Sequence, residues 1–471
     1  MATKRITQET FDAVVKENID DFEMDAEEAV EDAIKQFESQ GVNLSNIIKQ
    51  AATASDDQQS GSEARHPILT ALQRIQDSLN NQLQEKNDEK LQDACKLFQE
   101  QSCQGAAYRN VAAANGAYSI MYKLCQSVIN NPSSLSIALR TMASLIDGQP
   151  DLMDNVGIQL IMEILKMHFN DSLIQQTGIN VVRLACIMHE SNRQKFVSCD
   201  LIEHLISVLR HFTAQIAVIK EACSTLRTLT LDDDIRVPFG KAHEHAKMIA
   251  SECNGLELLI EVIKLHYQDT TIYCEICSTI AKLAVRNEYC QQVVDLGGLK
   301  LVTQALAERM DESMIAARSC FLLRAISGND DVKIAIVNSS CVSLIIAAMD
   351  RHPKHMHIAE QACAVFASLA LRHPQHCAEI ISCGGADFIL KAMKIHEDVE
   401  SVQKQGCLAI RNIVARSREY CNTFLEAGAE AIIRQARRKH KSCDDEAKAA
   451  LRDLECAVQL KELWTGLPTN G

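Results

Sequence analysis

VDLGGLKLVTQAL (residues 294–306) reads as the end of one helix, a turn eased by glycine, and the start of another helix. The pattern returns in SCGGADFILKAM (382–393) and LEAGAEAIIRQA (425–436). Anchored on the glycine or its substitute, it recurs at Gly116, Gly157, Asp200, Gly255, Gly298, Cys341, Gly385 and Gly428, at intervals of 41, 43, 55, 43, 43, 44 and 43 residues. Solenoids built from two or three helices per unit repeat at about 40–47 residues. The spacing therefore predicts an all-α chain that grows in one direction.

A second register lies further into each unit. EACSTLRTL, EICSTIAKL, RSCFLLRAI, QACAVFASL and QGCLAIRNI place Cys223, Cys277, Cys320, Cys363 and Cys407 at steps of 54, 43, 43 and 44, and Ser136 and Ile179 fill the same place in the first two units. A small residue recurring there predicts close packing between the last helices of neighbouring units. Buried thiols of this kind are inert.

With both registers in phase, the chain resembles the armadillo-repeat family, whose unit is a short helix, a glycine turn, a second helix and a longer third helix. The likeness runs from Tyr108 to about Leu454. TQETFDAVVKENI, FESQGVNLSNI, DDDIRVPFGKAHEHAKMI, RNEYCQQVVDLGGL, AKAALRDL and ELWTG narrow it to one branch of the family and carry it through the N-terminal segment. The resemblance implies a right-handed α-solenoid of about eight three-helix repeats, and protein interaction rather than a reaction.

Composition agrees with that reading. At 471 residues the chain exceeds one compact core, and 7 Pro, 18 Gly and 4% aromatic residues leave few strand signals. A net charge of -14 excludes a general nucleic-acid binder, which needs excess cations against phosphate. The opening MATKRITQETF shows no signal sequence, and no apolar run is long enough to span a bilayer. The expectation is a soluble cytoplasmic protein, with the nucleus as a second compartment, whose 19 Cys are thiols.

The first 65 residues hold 15 Asp/Glu against 6 Lys/Arg. Residues 1–50 form the expected acidic segment, with one amphipathic helix that starts at the Asp25/Glu28 capping box and buries Ala29, Val30, Ala33, Ile34 and Phe37. Residues 51–65 read as a flexible linker, 66–107 as lead-in helices, 108–456 as the solenoid and 457–471 as a tail.

The resemblance also places candidate binding residues. At the third-helix position that borders the family's concave groove stand Arg140, Arg183, Arg227, Ala281, Arg324, Ala367, Arg411 and Arg452. A groove lined by guanidinium groups selects an acidic, extended segment of a partner protein. The alternative is that each Arg pairs with a carboxylate of the adjacent unit. The family's peptide-clamping asparagine survives only as Asn412, and its tryptophans are missing, since Trp464 lies outside the repeats. That departure weakens a transport receptor for basic peptides, which stays as a lesser alternative.

The 55-residue interval carries an insertion, DDDIRVPFGKAHEHAKMIAS (232–251). Asp232–Asp234 align with Asp330 and Asp331, where helix capping explains them. Arg236, Pro238, Phe239, His243 and His245 form a candidate partner loop. The rival from another class is a metal- or redox-dependent regulator built on Cys274/Cys277 and His243/His245. A lone C-x-x-C and two histidines at i, i+2 are weak ligand sets. The basic run Arg434, Arg437, Arg438, Lys439 and Lys441 reads as a solvated face. There is no phosphate loop, G-x-S-x-G, H-E-x-x-H or dinucleotide fingerprint, so no catalytic residue, metal or cofactor is expected.

Overall fold

Within each of the molecule's two units, third helices stack on one another. The computed structural model describes residues 5–51, 66–80 and 87–458, and among these every regular element is helical. From residue 106 the order of short first helix, 11-residue second helix and longer third helix recurs through eight units, the second unit opening with a 3-10 turn and a longer second helix and the eighth ending in a third helix of only 10 residues. The third helices are Pro132–Ile146, Ser172–Cys186, Ile216–Leu229, Thr270–Leu283, Ser313–Ile326, Met356–Ala370, Glu400–Val414 and Asp444–Asp453. The chain forms two compact units, residues 1–245 and 246–471, and within each the successive third helices lie side by side.

Third helices inside a compact unit are apolar nearly all round because they are covered by a neighbour on each flank as well as by their own second helix, whereas Asp444–Asp453, the last of them, buries four of its 10 residues. Met356–Ala370 buries eleven of its 15 residues. At about 1.5–3 kcal/mol for each large side chain removed from water, Phe366 and Leu369 do much of the holding there. Cys223, Cys277, Cys320, Cys363 and Cys407 are all fully buried at this seam, as the small-residue register predicts. Burial pushes the Cys320 and Cys363 thiols up to about 12.

The glycine register needs a correction of one residue in four units. At Gly384–Gly385 the turn residue is Gly384, at φ +88°, whereas Gly385 already begins the second helix. A Cβ on Gly385 would come within 2.5 Å of Ile380. One glycine supplies a backbone conformation and the next supplies room. The αL place is filled by Asp200, Asn254 and Ser340 in three other units.

A further device ties the repeats. The residue closing a second helix reaches back to a carbonyl in the corresponding turn of the preceding repeat: His168 Nε2 to Ile129 O at 2.7 Å, His352 to Met310 O at 2.7 Å, His396 to Pro353 O at 3.0 Å and His440 to Glu397 O at 2.8 Å. Arg309 plays the part against Tyr267 O.

The N-terminal segment contains two helices where one was expected, α1 (Gln8–Asp20) and α2 (Ala26–Ser39). Asp25 caps α2 by accepting from the Glu27 and Glu28 amides at 3.0 and 2.9 Å. Phe11 and Val15 of α1 close a small core with Ala29, Val30, Ala33 and Phe37. Gln8 and Asp12 both hydrogen-bond His66, just before the lead-in helix α3 (Pro67–Asn80), and the Tyr108 hydroxyl donates to Gln50 Oε1 at 2.9 Å. The proposed linker at 51–65 and tail at 457–471 lie, but for residues 51, 457 and 458, outside the described residues. No single helix among the described residues is long and apolar enough to cross a membrane.

Candidate partner-binding surfaces

The arginine register sits on the third helices at half-exposed or exposed positions, and three of its six members, Arg183, Arg324 and Arg411, reach toward the next repeat. In residues 1–245, Arg183 Nε meets Glu221 Oε2 at 3.1 Å, with about a fifth of each side chain exposed. Arg227 donates to its own helix at Ser224 Oγ, 3.0 Å, and Arg140 is exposed. In residues 246–471, Arg324 Nη1 donates to Gln361 Oε1 at 3.1 Å and lies 3.9 Å from Glu360, while Arg411 Nε lies 3.7 Å from Asp453, which Arg452 also meets at 3.1 Å. Arg324 and Arg411 keep 41% of their side chains exposed. Asn412 is turned inward: its Nδ2 donates to Ala367 O at 2.8 Å, on the preceding third helix of its own chain. Among the described residues, cross-contacts of the N-terminal segment go to His66 and Tyr108.

The insertion is built differently from its sequence reading. Asp233 and Asp234 do not cap the helix that follows them. They reach back about 40 residues to the start of the first helix of the preceding repeat, Glu190–Ser198, and to the loop before it: Asp234 Oδ2 accepts the Glu190 amide at 3.0 Å and Asp233 Oδ2 accepts the Met188 amide at 3.2 Å. Beneath them lies Arg193, fully buried, with Nε at 2.8 Å from Glu190 and Nη1 at 2.6 Å from Asp233 and 3.1 Å from Cys186 O. Burial pushes the Glu190 carboxyl up, but hydrogen bonds from Gln194, the Lys241 amide and Arg193 outweigh it and hold it below the ordinary range. Gly240 passes so near that a Cβ would lie 2.8 Å from Asp232 and 3.2 Å from Glu190.

Arg236 clamps the outside of this loop. It donates to Asp234 at 2.8 Å, to Asp151 at 2.7 Å and to Met188 O at 3.1 Å. Its hydrogen bond holds the Asp234 carboxyl, and likewise Asp151, below the ordinary range. On this anchored loop Pro238 and His243 are exposed and Phe239 is 92% exposed. His245 does not belong with them: it is buried, its Nδ1 donating to Leu229 O at 2.9 Å. The residue that sequence reasoning missed is Ile235, 93% exposed beside Arg236.

The metal reading loses its ligands. Cys274 and Cys277 are buried, with desolvation pushing Cys274 up to about 11 and Cys277 further, and His245 is committed to a carbonyl. Among the described residues no group of three or more His, Cys, Asp or Glu could hold a metal ion. Three of the five residues of the basic run are paired in place: Arg434 with Glu430, Arg437 with Asp444 and Lys439 with Glu397 and Asp398.

Comparison with known proteins settles the lineage. Residues 68–470 match the family model ARMC6, and residues 3–64 match that of the armadillo repeat-containing protein 6 N-terminal domain. The chain belongs to the armadillo repeat-containing protein 6 family. Armadillo repeat-containing protein 6 of Homo sapiens is 49% identical over all of this chain and 94% of its own length, and the Drosophila melanogaster homolog is 42% identical over 98% of each. Two solved structures share the fold of this family member: an engineered protein at TM-score 0.53 and 17% identity, covering 82% of this chain and all of its own, and a chain from work on a phosphorylation switch in the interaction between cadherin and beta-catenin, at TM-score 0.53 and 16% identity, covering 80% of this chain and 68% of its own. Family and fold together are those of a protein-interaction scaffold.

Proposed function

We propose that this protein is a non-enzymatic scaffold whose third-helix faces hold an extended, acidic segment of a partner protein. Arg140, Arg183 and Arg227 serve on residues 1–245, and Arg324, Arg411 and Arg452 on residues 246–471. One observation carries the reading. Arg324 and Arg411 each touch a neighbour of the next repeat through a single nitrogen while 41% of the side chain stays exposed. A guanidinium has five N–H donors in a planar fork, so a side bound at one nitrogen can still take a carboxylate on another edge. The neighbouring carboxylates then fix where each fork points, which lowers the ordering cost on binding. Asn412, occupied by Ala367 O, is not part of this surface.

The test is a fluorescence-anisotropy titration of the full chain with a labelled, extended Glu/Ser peptide and its Lys/Ser counterpart. The acidic probe should bind, should weaken as salt rises, and should lose roughly tenfold in affinity in the Arg324→Glu/Arg411→Glu variant. Equal binding of the two probes, or full affinity in the double variant with its helicity intact, would refute the proposal.

A further inference from the structure

The insertion loop presents an unusual surface. Ile235 and Phe239 are 93% and 92% exposed, and Met188, on the neighbouring loop, is 56% exposed. Their backbones are not loose. Asp233 holds the Met188 amide, Arg236 holds the Met188 carbonyl, and the Lys241 amide donates to Glu190 Oε1 at 2.7 Å. Buried Arg193 locks Glu190 and Asp233 together from below. A chain that fixes two loops with buried charge, and at their tips leaves three large apolar side chains in water, displays a preorganised contact patch.

Charge decides what fits it. The cluster brings together the carboxylates of Asp151, Glu190, Asp232, Asp233, Asp234 and Glu244 against the permanent cations Arg193, Arg236 and Lys241. Asp151 and Glu244 keep 70% and 64% of their side chains exposed at the rim, and Asp232 is exposed as well. Arg236 and Lys241 keep 50% and 47% of their side chains exposed beside them, so the exposed rim of the apolar tip carries three carboxylates against two permanent cations and is net acidic.

We infer that this loop cluster is a second docking surface, separate from the arginine register and opposite in preference, whose occupant is a basic amphipathic helix of a partner protein. The apolar face of that helix covers Ile235, Phe239 and Met188, and its Lys or Arg side chains meet Asp151, Asp232 and Glu244 at the rim.

The experiment titrates the full chain with a labelled 14-residue amphipathic peptide made only of Leu and Lys, and with its Leu/Glu counterpart. The Leu/Lys probe should bind more tightly, and the Ile235→Ser/Phe239→Ser variant should weaken it by roughly tenfold or more, since two side chains lose their burial. Both residues are almost wholly exposed, so the variant should keep its helicity and melting temperature. Undiminished binding to the double variant overturns the inference, as does equal or tighter binding of the Leu/Glu peptide. Sedimentation supplies the remaining arm: self-association of the chain that the double variant abolishes would assign the patch to a second copy and overturn the stated occupant.

Discussion

Replacing Arg193 by Met tests whether the insertion is held by buried charge. Arg193 is fully buried and Glu190 keeps 2% of its side chain exposed, at a separation of 2.8 Å. Removing the cation leaves the Glu190 carboxylate in the interior, supported by Gln194 at 2.9 Å and the Lys241 amide at 2.7 Å but with no counter-charge beside it. Breaking a buried pair from one side costs about 3–5 kcal/mol. Asp233 is 29% exposed and regains water, so it adds little to that figure. For a unit of this size each kcal/mol moves the melting temperature by about 2–4 °C, so the transition of residues 1–245 should fall by roughly 6–20 °C. Circular dichroism measures the fall, and hydrogen exchange should show the amides of Met188, Glu190 and Lys241 opening first. Adding Glu190→Gln should recover part of the loss, because the stranded charge is gone. A loss below about 1 kcal/mol, or unchanged exchange at those three amides, would refute the reasoning.

Other outcomes follow from the same geometry. Burial, with a smaller contribution from Lys166, pushes His204 down to about 4, so its neutral form stabilises the fold fully above about pH 6.5 and that contribution is lost as pH falls through 4; unfolding free energies of wild type and His204→Gln, from urea titrations, should diverge across this window by up to about 1.4 kcal/mol per pH unit. Arg183→Glu, set against Glu221, should cost about 1–2 kcal/mol in urea unfolding, and the swapped pair Arg183→Glu/Glu221→Arg should restore most of it; no restoration would mean that the 3.1 Å contact carries no energy. Iodoacetamide at pH 8 should alkylate exposed Cys103 in the native protein and spare Cys320 and Cys363, with peptide mass spectrometry as the readout.

The fold could be read from the chain because a solenoid meets the same geometric demand in every unit. The left-handed turn before seven of the eight second helices and the close approach of third helices each select a narrow set of residues, so both leave a periodic mark. The one-residue error at Gly384–Gly385 arose because two demands fall on adjacent glycines. Contacts that span repeats were harder to see. The place of Arg183 on its third helix was readable from its register, but its partner Glu221 lies 38 residues on. Asp233 and Asp234 matched a capping position, yet their partners are Arg193 and the Glu190 amide, and no local pattern announces a salt bridge across 40 residues. His352, His396 and His440 recur at a period of 44 residues, but histidine has no single structural use, so the period alone names no contact.

Those histidines also fix a chemical detail. A carbonyl oxygen can only accept, so the ring nitrogen facing it must carry the hydrogen. In His168, His352, His396 and His440 that nitrogen is Nε2. When neutral, all four rings are therefore held in the same tautomer, with Nδ1 bare. What looks like a row of unrelated residues is one proton arrangement copied from repeat to repeat, and nitrogen-15 spectra of the imidazoles should show it as a single family of shifts.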